Sequence, residues 1–483
     1  MTKACAPRPI LAGLFAALTT AVLPGLAFAA EAAGAPHLDG GELSALWVVP
    51  FVGILLSIAL LPLMAPNVWH HHFGKISAGW ALAFLVPFAA VFGPGLALYE
   101  LLHTLLLEYI PFIVLLTALF TVAGGVRLAG SLVGTPLANT VGLALGTALA
   151  SLMGTTGASM LLIRPLLRAN EHRKHKVHTV VFFIFLVSNV GGSLTPLGDP
   201  PLFLGFLKGV SFFWPTTHLF WPMVLVAGCL LAIYFVLDLY LHTKDPGKHP
   251  LIEGVHEREP VRIEGAVNLL LLVAIVGAVL LSGVWHPGVG VTIYHVHVPL
   301  ETIVSQGLLI LITALSLKLT SQQSRRLNAF TWGPILEVAK LFAAIFLTII
   351  PAIAILRAGT DGALGAIITA VNEGGQPNPA AYFWATGILS SFLDNAPTYL
   401  IFFNTAGGNA GVLMSDLAVT LTAISAGAVF MGANSYIGNA PNFMVKAIAE
   451  ERGVKMPSFF GYMAWSCAFL VPLFVLTTWV FFL

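Results

Sequence analysis

Charged residues are scarce in this sequence: Lys, Arg, Asp and Glu together make up 9% of its 483 residues, against about 25% in an ordinary soluble domain. Hydrophobic residues reach 58%. That is more than the core of a soluble protein can bury, so most of the chain must lie in a lipid bilayer. The net charge of +1 leaves no basic face to neutralise phosphates, which excludes a nucleic-acid partner.

Cysteine is also rare, and the three present, Cys5, Cys229 and Cys467, have no metal-binding or redox spacing. A disulfide framework and a zinc site are therefore not expected. The HExxH and GxSxG motifs and haem-ligating histidine pairs inside helices are absent too. We therefore predict a protein that is not an enzyme and that holds no cofactor.

The first 29 residues have the pattern of a secretory signal. Basic residues precede an apolar stretch from Ile10 to Leu26, and the small-residue sequence Ala27-Phe28-Ala29 follows it. This order is typical of a signal peptide that is cleaved after its small residues. The alternative is an uncleaved first helix.

Several apolar runs are long enough to cross about 30 Å of hydrocarbon. They are Leu46–Met64, Ser77–Phe92, Tyr109–Ala123, Thr216–Leu241, Ala266–Val284, Leu300–Leu317, Gly333–Ile355 and Met463–Leu483. Two further regions, Thr135–Phe212 and Phe383–Ala449, are apolar but interrupted by Gly, Pro, Asn and Thr. The sequence predicts an all-α, polytopic membrane protein with transmembrane halves at residues 43–242 and 265–483, joined by a cytoplasmic linker at residues 243–264.

Lysine and arginine fall almost entirely on one side of this arrangement. The excess places that side in the cytoplasm and predicts a multi-pass protein of the bacterial inner membrane. The basic loop that contains Arg173 also carries His172, His175 and His178 at every third position. We expect these histidines to be solvated, and a pH sensor is the alternative.

The two interrupted regions match each other under one constant shift of 240 residues. Under this shift Gly154 corresponds to Asp394 at the first pair of breaks. Gly198-Asp199 corresponds to Gly438-Asn439 at the second pair. An odd number of crossings separates the halves, so they are predicted to be two inverted-topology repeats, each with a re-entrant hairpin and an interrupted transmembrane helix. Such pairs are the sequence signature of a transporter whose site lies at the bilayer midplane. The alternative is that Gly and Pro merely kink packed helices.

Two acids at the breaks, Asp199 and Asp394, indicate which charge the site takes. A carboxylate at membrane depth costs roughly 2.5–3.5 kcal/mol on insertion scales and marks an ion or proton path. Neither break contains Lys or Arg, so a cation is favoured, whereas helix N-termini at the same place would favour an anion. The alternative role for either aspartate is helix capping.

Each half is expected to form its own cation site from a hairpin tip and a helix break. The first site would combine Thr155, Thr156, Thr195 and Asp199, and the second Asp394, Asn395, Asn434, Ser435 and Asn439. Burial disfavours the charged form of a carboxyl group, so a proton and a metal cation would compete for the same oxygen atoms. Such competition is a mechanism for exchange, in which small inorganic ions and the lipid bilayer are the partners of the protein.

The break motifs resemble a known family. The stretch Gly192–Asp199 (GSLTPLGD) is similar to the GGxxTPxGD element of the NhaD-type sodium/proton antiporters, and Asp394-Asn395-Ala396-Pro397 resembles their DNxP element. Both belong to the wider ion transporter superfamily, which also contains citrate, dicarboxylate and arsenite carriers. The resemblance implies inverted repeats and a homodimer with scaffold and moving transport domains. The sequence departs from the pattern at Pro200-Pro201, where antiporters more often have hydroxyl residues, and at Asn439, which is not an acid.

The sequence thus predicts a secondary active transporter that exchanges sodium for protons through Asp199 and Asp394. The alternative is a sodium- or proton-coupled carrier of citrate or another carboxylate. Neither hairpin tip has the Ser-Asn-Thr sequence common in the carboxylate carriers of the superfamily, which favours exchange.

Overall fold

The computed structural model describes residues 38–130, 133–245 and 262–483, together with Pro36, Pro260 and the backbone of Ala27–Phe28. The predicted signal peptide at residues 1–29 lies outside the described residues except for that two-residue backbone segment. Most of the predicted linker at residues 243–264 lies outside them as well.

Within the described residues, ten helical stretches are long and apolar enough to cross a membrane. Each predicted apolar run overlaps one of them, and two more lie in the interrupted regions. They are Ala45–Met64, Pro66–Phe92, Pro94–Ala123, Pro136–Met153, Val177–Leu194, Trp214–Lys244, Val267–Val284, Leu300–Leu319, Gly333–Arg357 and Phe459–Phe481. The prediction of a helical, multi-pass membrane protein is confirmed.

The helices are numbered in chain order. They are α1 (Val49–Met64), α2 (Pro66–Phe92), α3 (Pro94–Thr104), α4 (Ile110–Ala123), α5 (Pro136–Met153), α6 (Thr155–Ala169), α7 (Val177–Leu186), α8 (Pro200–Leu207), α9 (Trp214–Lys244), α10 (Val267–Val284), α11 (Leu300–Leu319), α12 (Gln322–Leu327), α13 (Gly333–Thr348), α14 (Ile350–Arg357), α15 (Gly365–Val371), α16 (Pro379–Phe392), α17 (Asn395–Thr405), α18 (Ala410–Met414), α19 (Ala418–Met431), α20 (Ala440–Glu451) and α21 (Phe459–Phe481).

Short antiparallel strands join some of the loops. They are β1 (Ala27–Phe28), β2 (Arg127–Ala129), β3 (Arg262–Glu264), β4 (Val289–Ile293), β5 (Val296–Pro299), β6 (Asn372–Glu373) and β7 (Gln376–Pro377), in sheets ordered β1-β4-β5, β2-β3 and β6-β7. The register of β2 on β3 pairs Arg127 with Glu264, and their side chains form an ion pair of 2.9 Å.

Two membrane-crossing helices begin earlier than the apolar runs predicted. The second begins at Pro66 instead of Ser77, and the third begins at Pro94 instead of Tyr109. Proline is favoured in the first helical turn because its missing N–H has no helical partner there. The polar residues in these extra turns lie on helices, although the sequence indicated loops there. Glu108 is one of them, in a π-helical turn over Leu105–Tyr109 that joins α3 to α4.

The helices of the interrupted regions form the interior of the protein. Every residue of α7 after Val177 is buried, and α19 is buried from Thr420 to Met431. By contrast, only 28% of the crossing segment of α9 or α21 is buried. A helix that is apolar all round is either buried or exposed to lipid, and the fold uses both solutions, with interrupted helices inside and most of the continuous helices outside.

Two helix starts repeat at the 240-residue offset that the sequence predicted. Helix α6 begins at Thr155 and α17 at Asn395. Helix α8 begins at Pro200 and α20 at Ala440. The two interrupted regions therefore share these starting points, although the lengths of the helices differ.

The expectation of a solvated loop at residues 172–178 is wrong for two of its side chains. Arg173 is 3% exposed and His178 is 2% exposed. Both contact one carboxylate oxygen of Asp238 in α9, at 2.6 Å from Arg173 Nη2 and 2.8 Å from His178 Nε2. Asn139 of α5 donates to the other oxygen at 3.1 Å. The loop folds inward because an acid far along the chain supplies its counter-charge.

Candidate functional site

Each interrupted helix breaks through a short 3-10 turn and an extended segment. In the first, the turn Val190–Leu194 precedes Thr195, which is extended, and α8 then begins at Pro200. The break is held tightly closed, because a Cβ on Gly198 would lie 2.1 Å from the carbonyl oxygen of Gly192. Only glycine fits where two backbone segments approach so closely.

We predict that Gly198→Ala abolishes transport, because the added methyl group forces the two sides of the break apart and shifts the residues that follow. Gly142→Ala is the matched control, since a Cβ at Gly142 of α5 meets no atom of the described residues within 4 Å. Solute flux in proteoliposomes checks the prediction, with the amount of monodisperse protein as the measure of folding. Parental flux from well-folded Gly198→Ala protein would contradict it.

The carboxylate of Asp199 lies at the centre of the site and is 1% exposed. Its Oδ1 accepts hydrogen bonds from Thr155 Oγ1 at 3.0 Å and from Asn439 Nδ2 at 3.1 Å. Its Oδ2 accepts one from Asn395 Nδ2 at 2.5 Å. The expectation of one separate site per half is therefore wrong, because a single carboxylate gathers donors from both halves. Residues 199 and 439, which are equivalent under the 240-residue offset, touch each other directly.

The second aspartate has a different environment. Asp394 is the N-cap of α17, and its Oδ1 accepts a hydrogen bond from the backbone N–H of Ala396 at 3.0 Å. Asp199 occupies the same position before α8 without capping that helix. The capping alternative thus holds for Asp394 and fails for Asp199. Both carboxylates line one cavity, together with Thr156.

Three of the predicted site residues brace the breaks instead of lining this cavity. The hydroxyl of Thr195 donates to the backbone oxygen of Ser151, and the Oγ of Ser435 donates to the equivalent oxygen of Ser391 at 2.5 Å. Asn434 donates to the Ser391 hydroxyl at 2.9 Å. These residues tie each break to the neighbouring helix, α5 or α16, so they position the site from outside the cavity.

The cavity has a volume of about 110 Å³, with one polar side and one apolar side. Asp199, Asp394, Asn395 and Asn439 stand on the polar side, and residues of α4 and α13 form the apolar wall. Among the described residues that line the cavity, none is Lys or Arg. Asn395 lines the cavity, and its Oδ1 is buried with no hydrogen-bond partner among the described residues. An unpaired amide oxygen beside two carboxylates suits a cation.

Four helices point their N-terminal ends at the same cavity. The residue immediately before each of α6, α8, α17 and α20 is a lining residue, namely Gly154, Asp199, Asp394 and Asn439. Each helix N-terminus carries a partial positive charge and favours an anion. The site therefore combines acids that attract a cation with helix ends that attract an anion.

Sequence reasoning missed the amides that join the two halves behind this cavity. Asn189 donates from Nδ2 to Asn442 Oδ1 at 2.7 Å, and Asn439 donates to the backbone oxygen of Ser188 at 3.1 Å. Both Asn189 and Asn442 are fully buried. Their signal in the sequence is an amide within an otherwise apolar stretch, which has to find a polar partner in the fold.

Comparison with known proteins shows the family to which the chain belongs. A protein-family model described as "Putative citrate transport" matches residues 40–482. An uncharacterized transporter of Mycobacterium tuberculosis is 26% identical over 331 residues, which cover 66% of this chain and 71% of the relative. A 46 kDa membrane protein of Mycobacterium leprae is 25% identical over 332 residues, with the same coverage.

The family match bears out one part of the resemblance and leaves the other without support. A citrate transporter-like membership is confirmed, whereas none of these matches points to the NhaD-type antiporters in particular. Because the match covers nearly the whole described chain, the protein belongs to this citrate transport family of membrane transporters.

Proposed function

We propose that this protein is a secondary active carrier that moves citrate or a similar carboxylate across the membrane together with sodium ions or protons. The observation that carries the proposal is the meeting of four helix N-termini at one cavity. That arrangement is suited to carboxylate groups, and family membership supports the same class of substrate. This reading replaces sodium/proton exchange, which the sequence alone favoured.

The two acids of the cavity make the coupling obligatory in this proposal. Asp199 and Asp394 line the cavity and no lysine or arginine among its described lining residues opposes them, so a substrate with two or three negative charges is repelled from the empty site. A cation or proton bound at these oxygens removes the repulsion. The unpaired Oδ1 of Asn395 supplies a further ligand for a cation, and the carboxylate then binds at the helix N-termini.

We further propose that residues 43–242 and 265–483 are inverted repeats, with re-entrant hairpins at α5–α6 and α16–α17. The equal starting points of α6 and α17, and of α8 and α20, at the 240-residue offset support this arrangement. The basic side would face the cytoplasm of a bacterium, which places the protein in the inner membrane. In that orientation the C-terminal ends of α8 and α17 face outward.

Transport of radiolabelled citrate into proteoliposomes tests the proposal. We expect uptake that requires an inward gradient of sodium or of protons, and no uptake into liposomes without protein. Uptake that ignores both gradients would refute coupling. Failure of citrate, succinate and malate to enter under either gradient would refute a carboxylate carrier.

Sodium/proton exchange is the second candidate, favoured by two buried acids in a cavity without a basic lining residue. It predicts dequenching of an acridine dye when sodium is added to everted vesicles that contain no carboxylate. Under the carrier proposal, sodium without a carboxylate leaves the dye quenched.

A further inference from the structure

A second cavity of about 400 Å³ lies on the outward side of the site in the proposed orientation. We call it the vestibule. Its charged and titratable lining residues are Asp39, Tyr99, Glu100, His103, Glu108, Lys208 and Arg357. The vestibule is linked to the central cavity by α8, which begins after Asp199 and ends before Lys208. This helix has eight residues, a length of about 12 Å.

Three neighbouring helical segments carry residues in the same order from vestibule to cavity. Each has a vestibule residue, then a phenylalanine, then a cavity residue. These are Glu108, Phe112 and Leu115 along α3–α4; Lys208, Phe203 and Pro200 along α8; and Ile350, Phe346 and Phe342 along α13–α14. Phe112 and Phe346 line neither cavity and lie between the two, whereas Phe203 lines the central cavity, as Phe342 does.

The phenyl rings of these four residues are packed together. The ring of Phe112 lies 4.6 Å from that of Phe342, 5.5 Å from that of Phe346 and 6.4 Å from that of Phe203, measured between centroids. Phe112 and Phe346 are 0% and 1% exposed and line neither cavity. An apolar layer of this kind stops ions, because they would have to shed their water to pass.

An ion pair spans the vestibule face of the layer. Lys208 Nζ lies 2.5 Å from Glu108 Oε1, with the two side chains 17% and 11% exposed. Glu108 is held by the π-helical turn of the third spanning helix, and Lys208 caps the C-terminal end of α8. The pair thus fastens the helix that follows Asp199 to a continuous spanning helix. π-helical turns are frequently found at functional positions.

We propose that Phe112, Phe203, Phe342 and Phe346 form the outer gate of the transport path, and that the Glu108–Lys208 ion pair is the latch that holds it closed. The inference rests on the proposed function for its transport direction, and on the geometry alone for the barrier itself. The structure is the outward-closed state. Opening requires α8 to separate from α4, which breaks the ion pair and parts the rings in one movement.

Cysteine labelling tests the gate directly, whatever the solute. In a chain with Cys5, Cys229 and Cys467 replaced by Ser, a charged, membrane-impermeant methanethiosulfonate reagent is added from the vestibule side. We expect His103→Cys in the vestibule to react quickly and Thr156→Cys in the central cavity to react slowly. Adding Phe112→Ala should speed the labelling of Thr156→Cys by at least about tenfold, equivalent to lowering the barrier by 1.4 kcal/mol.

Phe88→Ala is the matched control, because Phe88 is equally buried but packs against Trp47 and Phe92 in a separate cluster. It should leave the labelling of Thr156→Cys slow. The gate is refuted if Thr156→Cys reacts as fast as His103→Cys in the parent chain. It is also refuted if folded Phe112→Ala protein labels no faster than Phe88→Ala protein.

The latch has its own test by charge reversal. Glu108→Lys and Lys208→Glu alone should each speed the labelling of Thr156→Cys, and the double reversal should return it toward the parent rate. Equal labelling rates in the two single variants and the double reversal would refute the latch. A failed citrate assay with intact labelling differences would refute only the proposed substrate, so the two proposals can fail separately.

Discussion

Replacing Asp199 by Asn is expected to slow coupled transport by at least about 100-fold. Asp199 is the acceptor for three donors, Thr155, Asn395 and Asn439. Hydrogen bonds to a charged group contribute about 1.5–3 kcal/mol each, and a difference of about 2.8 kcal/mol corresponds to 100-fold.

The physical reason is that Asn replaces one acceptor oxygen with a donor. If the new amide N–H₂ takes the place of Oδ2, it faces the Nδ2 of Asn395, and two donors meet. Asn395 can relieve the conflict by turning its amide over, but its unpaired Oδ1 then accepts a hydrogen bond from the new amide and is no longer free for a cation. The variant therefore loses both the negative charge and the neutral oxygen that a cation would bind.

Initial rates of citrate uptake under a sodium or proton gradient measure the effect. Asp416→Asn serves as the matched control, since it makes the same chemical change at an exposed acid and should keep the parental rate. The size-exclusion profile reports whether the Asp199→Asn protein is folded. A folded Asp199→Asn protein that takes up citrate at the parental rate would remove Asp199 from the mechanism.

Replacing Asp238 by Asn is expected to have the largest effect on stability. The substitution leaves Arg173 buried without its nearest counter-charge, and breaking a buried ion pair from one side costs about 3–5 kcal/mol. Asp245, whose Oδ2 lies 3.3 Å from Arg173 Nε, remains as a weaker partner. We therefore expect a loss at the lower end of that range, about 3 kcal/mol.

Glu450→Gln is the control for this prediction, because Glu450 forms an ion pair of similar length, 2.8 Å, with Lys446 in a more exposed position. Such surface pairs contribute about 0–1 kcal/mol. Thermal unfolding in detergent, followed by loss of the monodisperse peak, compares the two variants. Equal unfolding temperatures for Asp238→Asn and Glu450→Gln would show that the buried pair does not stabilise the fold.

A second variant separates the ion pair from the space that it fills. Arg173→Met combined with Asp238→Leu removes both charges and keeps apolar volume, a change that is often neutral for buried pairs. We expect the double variant to unfold at a higher temperature than Asp238→Asn. An equally unstable double variant would mean that the polar partners of Asp238, such as Asn139, matter more than the charge.

Some features of this protein could be predicted from its sequence, and others could not. The breaks at Asp199 and Asp394 were visible because Gly, Pro and an acid within an apolar run have few structural explanations in lipid. The burial of Arg173 was not visible, because a basic loop beside a membrane is normally solvated and its counter-charge is 65 residues away. The proposal of a citrate-type substrate rests on the helix N-termini and on the family. The sequence alone showed two acids and no basic residue at the breaks, which favoured a cation.

The amino-acid sequence alone predicts the lipid environment, the helices and the two interrupted regions, because apolar runs must be long enough to cross a bilayer and any interruption in them stands out. That both halves meet at one carboxylate, with Asn439 hydrogen-bonded to its counterpart Asp199, is seen only in the folded protein. The contact depends on how the inner helices pack, and spacing along a chain does not specify which of two equivalent positions will face each other.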